Sequence, residues 1–211
     1  ELAAEFRAEE DGRVYRFRLR DDVRFHDGRR LTARDVRYSF ERLLQCREST
    51  SRSMFAPIVG AKALLEGNAS DLEGFRIHSA TEFTVELGEP IVFFPVLVSH
   101  PAAAIVPEGT GHDPGGWVGT GPFRVLTFEP GRRLELERNR TYWRKGYPRS
   151  ESIVFSFGVL PEEMLASLRT GRFSLASDLL PGDVESLRRD PEYASGYVET
   201  PQLATYYVGF N

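Results

Sequence analysis

The sequence predicts a mixed α/β fold of strand hairpins with flanking helices, and three observations predict it. Residues 15–19 alternate apolar Tyr15, Phe17 and Leu19 with Arg16 and Arg18, the period-2 pattern of a strand with one buried face. After the Asp27-Gly28 turn, Val36, Phe40, Leu43 and Leu44 recur at helical spacing. Beyond residue 150 a β-branched and aromatic run, Ile153 to Phe157, precedes a helical stretch, Pro161 to Leu168, and a second strand pattern, Phe173 to Ala176. This last passage reads as a βαβ unit.

Taken in order, Leu2 to Arg7 and Val14 to Leu19 pair as a hairpin across Glu10-Asp11-Gly12. Thr32 is placed to accept the N–H of Asp35 as an N-cap, and the Asp35 carboxylate favours the first turn of the helix dipole. A second helix, Ile58 to Leu65, starts behind Pro57 and stops at Gly67. Phe75, Ile77, Phe83, Val85 and Leu87 supply another hairpin around Ala80-Thr81-Glu82. Between Pro90 and Pro107 repeated prolines break an apolar segment into a short helix and loops. The Gly- and Pro-rich passage 111–122 marks a boundary near Val118. It divides a hairpin-and-helix part, 1–118, from a sheet-containing part, 119–211, that carries the βαβ unit. Within the latter, Phe123 to Phe128 and Arg133 to Arg138 pair across Glu129-Pro130-Gly131, and Gly171 suits a left-handed helix end. Asp183 is the expected cap of a helix over Val184 to Arg189, and Tyr197 to Thr200 and Thr205 to Phe210 are the last strand patterns.

Composition narrows the function classes. The 211 residues, 41% hydrophobic and 12% aromatic, suffice for one large domain or two small ones with a packed core. No apolar run reaches the roughly 20 residues that span a bilayer, and residues 1–7 already read as a strand rather than a leader peptide. With 27 basic and 31 acidic residues and a net charge of −4, the chain offers no global pull toward nucleic acid. Lys62 and Lys145 are the only lysines among the 27 cations, and the remaining 25, all arginine, are spread along the chain. Cys46 stands alone, so no internal disulfide forms and no structural zinc site fits.

Nothing in the residues asks for catalysis. Gly119-Thr120-Gly121 lacks a P-loop lysine and leads into a strand through Pro122, so it reads as a bend and not a phosphate cradle. His26, His78, His100 and His112 show no ligand spacing to one another or to cysteine or carboxylate partners, and no metal or cofactor is expected. No Gly-x-Ser-x-Gly elbow is present, and Glu9-Glu10, Asp21-Asp22 and Glu162-Glu163 fall in turns or helix starts. No catalytic residue is assigned. In the terminal strand pattern Tyr206 and Tyr207 point to opposite faces, leaving one free for contact.

Two blocks carry a family resemblance. Phe25, Asp27, Gly28, Leu31 to Ala33, Asp35, Val36, Tyr38 and Ser39 form a string similar to the hallmark of bacterial extracellular solute-binding proteins of family 5, the peptide and nickel receptors of ABC importers. Gly119 to Trp143 resembles the second signature, a GTGP bend leading into a hairpin that ends in Asn-x-x-Tyr-Trp. Leu168 to Leu180 and the end, TYYVGFN, agree in order, although Ser174 and Ala176 depart from the acidic residue that relatives commonly carry there. The resemblance implies a type II periplasmic-binding-protein lobe, with the second lobe absent. It implies a non-enzymatic, periplasmic or extracytoplasmic receptor, lipid-anchored in some relatives, that hands a peptide or similar small solute to a membrane permease. In the family the terminal strand runs toward the hinge beside the ligand cleft, making Tyr206, Tyr207 and Asn211 the expected ligand or hinge residues. The alternative is the ligand-sensing domain of a cytoplasmic transcription regulator.

Overall fold

The computed structural model describes residues 1–111, 117–177 and 179–200, and these divide into two compact units, Glu1–Phe155 and Ser156–Asn211. The first unit opens with β1 (Ala3–Glu9) and β2 (Val14–Leu19), joined through Glu10 and Asp11 at positive φ. Next come α1 (Ala33–Gln45), α2 (Ala61–Glu66), β3 (Phe75–Ile77), β4 (Glu82–Glu86) and the short α3 (Phe94–Leu97). These four strands form an antiparallel sheet in the order β1-β2-β4-β3. A second sheet, in the order β5-β6-β7, follows from β5 (Phe123–Glu129), β6 (Arg133–Arg138) and β7 (Ser152–Ser156). The expected boundary near Val118 falls between the two sheets, inside the first unit.

Alternation along β2 does what the pattern requires. Tyr15, Phe17 and Leu19 are buried while Arg16 and Arg18 stay in solvent. The register sets Phe6 opposite Phe17 and Phe17 opposite Phe83, and a row of rings crosses the whole sheet. Centroids are 6.0 Å apart for Phe6 and Phe17, 5.1 Å for Phe17 and Phe83, and 4.7 Å for Phe83 and Phe75. Phe40 of α1 meets Phe75 edge-on at 6.0 Å, so the row continues from sheet to helix. Val36, Phe40, Leu43 and Leu44 form the buried stripe of α1, each such side chain contributing about 1.5–3 kcal/mol.

The polar residues of the same helix are fastening points. Asp35 Oδ2 accepts from both the backbone N–H (2.8 Å) and the hydroxyl (2.7 Å) of Thr32, while Oδ1 accepts from the Glu108 N–H at 2.9 Å. One turn on, Ser39 Oγ accepts from Val106 N–H at 2.9 Å, and the Tyr38 hydroxyl donates to the Thr110 carbonyl. The helix therefore begins where the sequence expects and is also stitched to residues 106–110. Helix α2 starts later than expected, at Ala61, because Ile58 pairs with Leu87 and Gly60 takes a left-handed conformation (φ 82°).

The second unit contains α4 (Pro161–Arg169), α5 (Pro181–Arg189) and α6 (Pro191–Ala194). Each begins with proline at its first position, where the missing N–H has no intrahelical acceptor to lose. That preference corrects one expectation: Leu180, not Asp183, is the N-cap of α5, and Asp183 lies within its first turn. Gly171 is left-handed (φ 72°) after α4, as the pattern suggests. Residues 173–176 and 197–200, however, carry no strand. A strand exists only where a neighbouring backbone completes its ladder, and among the described residues no strand runs beside either segment, so the second strand of the expected βαβ unit is not seen among them. Thr205 to Phe210 lie outside the described residues.

Candidate functional site

The second unit holds a groove of about 770 Å³ built from the end of α4, residues 173–177, α5, and α6 with the residues that follow it. Leu168, Phe173, Val184 and Leu187 supply apolar wall, while Tyr193, Tyr197 and Glu192 bring polar atoms. Local bonds shape it: Phe173 N–H donates to Ser167 O at 3.0 Å, folding the chain back against α4, and Arg169 donates to Ser186 Oγ at 3.0 Å, tying α4 to α5. Leu175 and Val198 are each 83% exposed at its rim. Burial pushes the Tyr197 phenol up, assisted by Glu199, whose carboxylate accepts its hydrogen bond at 3.2 Å. Among the described lining residues Glu192 and the two tyrosines are the ionisable ones, so the groove presents mainly apolar contact and hydrogen-bonding groups.

Of the residues marked in the sequence, Ser174 and Ala176 line this groove. Tyr206, Tyr207 and Asn211 lie outside the described residues, as does His112. Among the described residues no group of three or more histidine, cysteine or acidic side chains converges on a metal-sized site, and no helix is long and apolar enough to cross a membrane. Cys46, half-buried at the end of α1, has its Sγ 3.7 Å from Glu48 Oε2.

The two signature blocks meet in the first unit, through residues that composition and spacing do not flag. His26 Nδ1 lies 3.2 Å from the Gly119 nitrogen and Nε2 lies 3.1 Å from the Gly121 carbonyl, while His26 N–H donates to Gly119 O at 2.9 Å. Because an amide N–H can only donate, Nδ1 is the acceptor and Nε2 carries the hydrogen given to Gly121 O. Asn139 Nδ2 donates to the same carbonyl at 3.0 Å, and its Oδ1 accepts from Thr141 N–H and Oγ1. Trp143 packs on the core of the first sheet with the Arg20 guanidinium 4.3 Å from its ring centroid. The FHDG turn, the GTGP bend and the Asn-x-x-Tyr-Trp end thus make one joint. Its one sequence-level hint is that the two blocks occur together.

The described residues thus make a unit with two sheets and a helical unit that holds a largely apolar groove. The sequence profile of bacterial extracellular solute-binding proteins, family 5, matches residues 1–211. The chain belongs to this family, whose members are periplasmic or extracytoplasmic binding proteins. It is 27% identical to di/tripeptide-binding protein 2 of Pseudomonas aeruginosa, over 100% of this chain and 42% of that protein. It is 25% identical to the periplasmic oligopeptide-binding protein OppA of Escherichia coli, over 95% of this chain and 39% of that one. Among solved structures it is similar to Haemophilus influenzae OppA in complex with RPPGFSPFR (TM-score 0.80, 22% identity, 89% of this chain and 39% of that one). It also resembles AgaA of Agrobacterium tumefaciens in complex with agropinic acid (TM-score 0.78, 23% identity, 90% and 37%). The fold is therefore the α/β fold of family 5 binding proteins, and the chain spans about two-fifths of the length of these relatives.

Proposed function

We propose that this chain is the first-lobe portion of an extracytoplasmic receptor that binds oligopeptides or similar small solutes and delivers them to the membrane permease of an ABC importer. The observation that carries the reading is that relatives matched over 95–100% of the chain are peptide-binding proteins. Physical support comes from the groove of the second unit, whose apolar walls and sparse hydrogen-bonding groups suit side chains of varied shape better than one rigid ligand. In this reading Tyr206, Tyr207 and Asn211 lie at the ligand or the hinge, and the remaining wall of the cleft comes from a second lobe.

Titration calorimetry tests the proposal, using tripeptide and pentapeptide mixtures against the protein encoded by the full reading frame and against the 211-residue chain alone. The full-length protein binds a subset of peptides in the micromolar range or tighter, Tyr206→Ala or Tyr207→Ala weakens binding about tenfold or more, and the 211-residue chain binds at least about a hundredfold more weakly. Tight stoichiometric binding by the isolated chain would sink the two-lobe reading. A full-length protein that ignores peptides but retains another solute through native mass measurement would sink the peptide assignment.

A further inference from the structure

Between β6 and β7 the chain makes an exposed excursion, residues 140–151, whose charge opposes that of the protein. Arg140, Arg144, Lys145 and Arg149 are all exposed, and Glu151 is the one carboxylate in the passage. Glu151 is already engaged, by Arg138 at 2.9 Å and Arg140 at 3.2 Å. Among the described residues, Arg144, Lys145 and Arg149 pair with no carboxylate, although ion pairs such as Arg124 with Glu137 and Arg133 with Glu135 line the adjoining strands. Instead Arg144 and Arg149 gather on one exposed ring, their guanidinium carbons 4.4 Å and 5.7 Å from the centroid of Tyr147. Tyr147 is 41% exposed and is seated by its N–H to the Arg144 carbonyl (3.2 Å) and by the buried Pro148. A chain with a net charge of −4 therefore sets two arginines on one exposed amphipathic ring, with exposed Lys145 next to Arg144 in sequence, and among the described residues no carboxylate pairs with these three cations.

We propose that this turn is a contact surface for the anionic headgroups of a phospholipid bilayer. A protein partner would need an apolar, tightly packed centre in its interface, and in residues 140–151 Tyr147 is the one exposed aromatic, the other exposed residues being Thr141, Gly146, Ser150, Glu151 and the four cations, while Tyr142 and Trp143 are half-buried and Trp143 packs on the core. A bilayer asks for less: clustered Arg and Lys within a Debye length of the surface and a ring that sits at headgroup level. Arginine is suited to it, since its planar fork meets phosphate oxygens in pairs. The contact is independent of the solute-binding proposal and would stand if that failed. Such a contact needs no spanning segment to hold the chain at a membrane face.

Vesicle co-sedimentation of the purified chain tests this. It should bind vesicles containing about 30 mol% phosphatidylglycerol, ignore pure phosphatidylcholine, and be released near 0.5 M salt, where screening is on the order of a few ångströms. The triple variant Arg144→Gln, Lys145→Gln, Arg149→Gln should lose about tenfold or more of the bound fraction. Arg76→Gln, Arg132→Gln, Arg189→Gln, the same charge change at three arginines paired elsewhere, should leave it intact. Circular dichroism melts identify any variant that fails to fold, in which case Tyr147→Ala, expected to weaken binding with no change in charge, carries the test. Equal loss in both triple variants would overturn the proposal, as would absence of binding to phosphatidylglycerol vesicles. Salt-sensitive binding to soluble polyglutamate without vesicle binding would overturn it too, by pointing to an acidic protein instead.

Discussion

His26 shows how much one side chain can fasten. Both ring nitrogens are used, in opposite senses, by a bend 93 and 95 residues away in sequence. Replacing it with alanine leaves the Gly119 N–H without its acceptor and removes one of two donors to Gly121 O. We expect His26→Ala to lower the urea unfolding midpoint by an amount equivalent to about 1–3 kcal/mol, against little change for a substitution at exposed Arg34. The neighbouring Asp27 tells a different story. Burial works to raise its pKa, but the N–H and guanidinium of Arg29 (3.0 and 2.8 Å) outweigh that and hold the carboxyl below the usual aspartate range. A folded pKa below the unfolded one means a stabilisation present at neutral pH and lost as the pH falls below about 4. Urea midpoints between pH 6 and pH 3 should therefore fall less steeply in Asp27→Asn than in the parent, by about the part of the acid-side slope that this one group contributes. Identical slopes would refute the linkage.

At the scale of elements, most of the fold is legible in the sequence because its strands and helices carry their own periodicity and stops. The hairpin of β1 and β2, the capped α1 and the left-handed Gly171 follow from alternation, spacing and glycine chemistry. Residues 173–176 do not form the expected strand, since β-propensity records a side chain's fit to a sheet and cannot supply the neighbouring backbone. Packing at glycines is equally silent in one sequence. Gly74 threads between two backbones, its N–H donating to Val59 O and its carbonyl accepting from Glu86 N–H, and a Cβ there would lie 2.7 Å from Glu86 O and 3.0 Å from Val59. Neither neighbour is a flexible side-chain end that could swing aside. Gly74→Ala should cost about 2–4 kcal/mol in unfolding free energy, whereas Gly131→Ala, with nothing within 4 Å but a φ of 71°, tests backbone strain alone and should cost about 1 kcal/mol. Equal costs would show that close approach is not what Gly74 provides.

Across the whole molecule, burial is uneven. The contiguous apolar cluster runs through the first unit, from Tyr15 to Ala103, whereas in the second unit Ser167 and Leu187 are the buried residues among those described. Local opening free energy follows buried contact. Hydrogen exchange should accordingly protect α1, β2 and β4 longest and release the amides of α4 to α6 first, by at least about tenfold in rate. The reverse order would contradict this reading of the packing. The same contrast explains why the joining residues are harder to read than the core. Apolar periodicity announces Phe17 or Phe40 from either neighbour, but the use of His26, Asp35 and Asn139 depends on which distant carbonyl or N–H folding brings to them. The candidate groove shares that difficulty, since its walls come from four separate stretches of chain.

His26 is also a built-in spectroscopic reporter. The imidazole hydrogen on Nε2 is held against the Gly121 carbonyl, and the ring is one of only four in the chain. In nitrogen-15 spectra its two ring nitrogens should resolve into one protonated and one bare signal, with a long-lived N–H proton. The moment at which that proton begins to exchange freely with water would mark the separation of the FHDG turn from the GTGP bend, independently of any change in helix or sheet content.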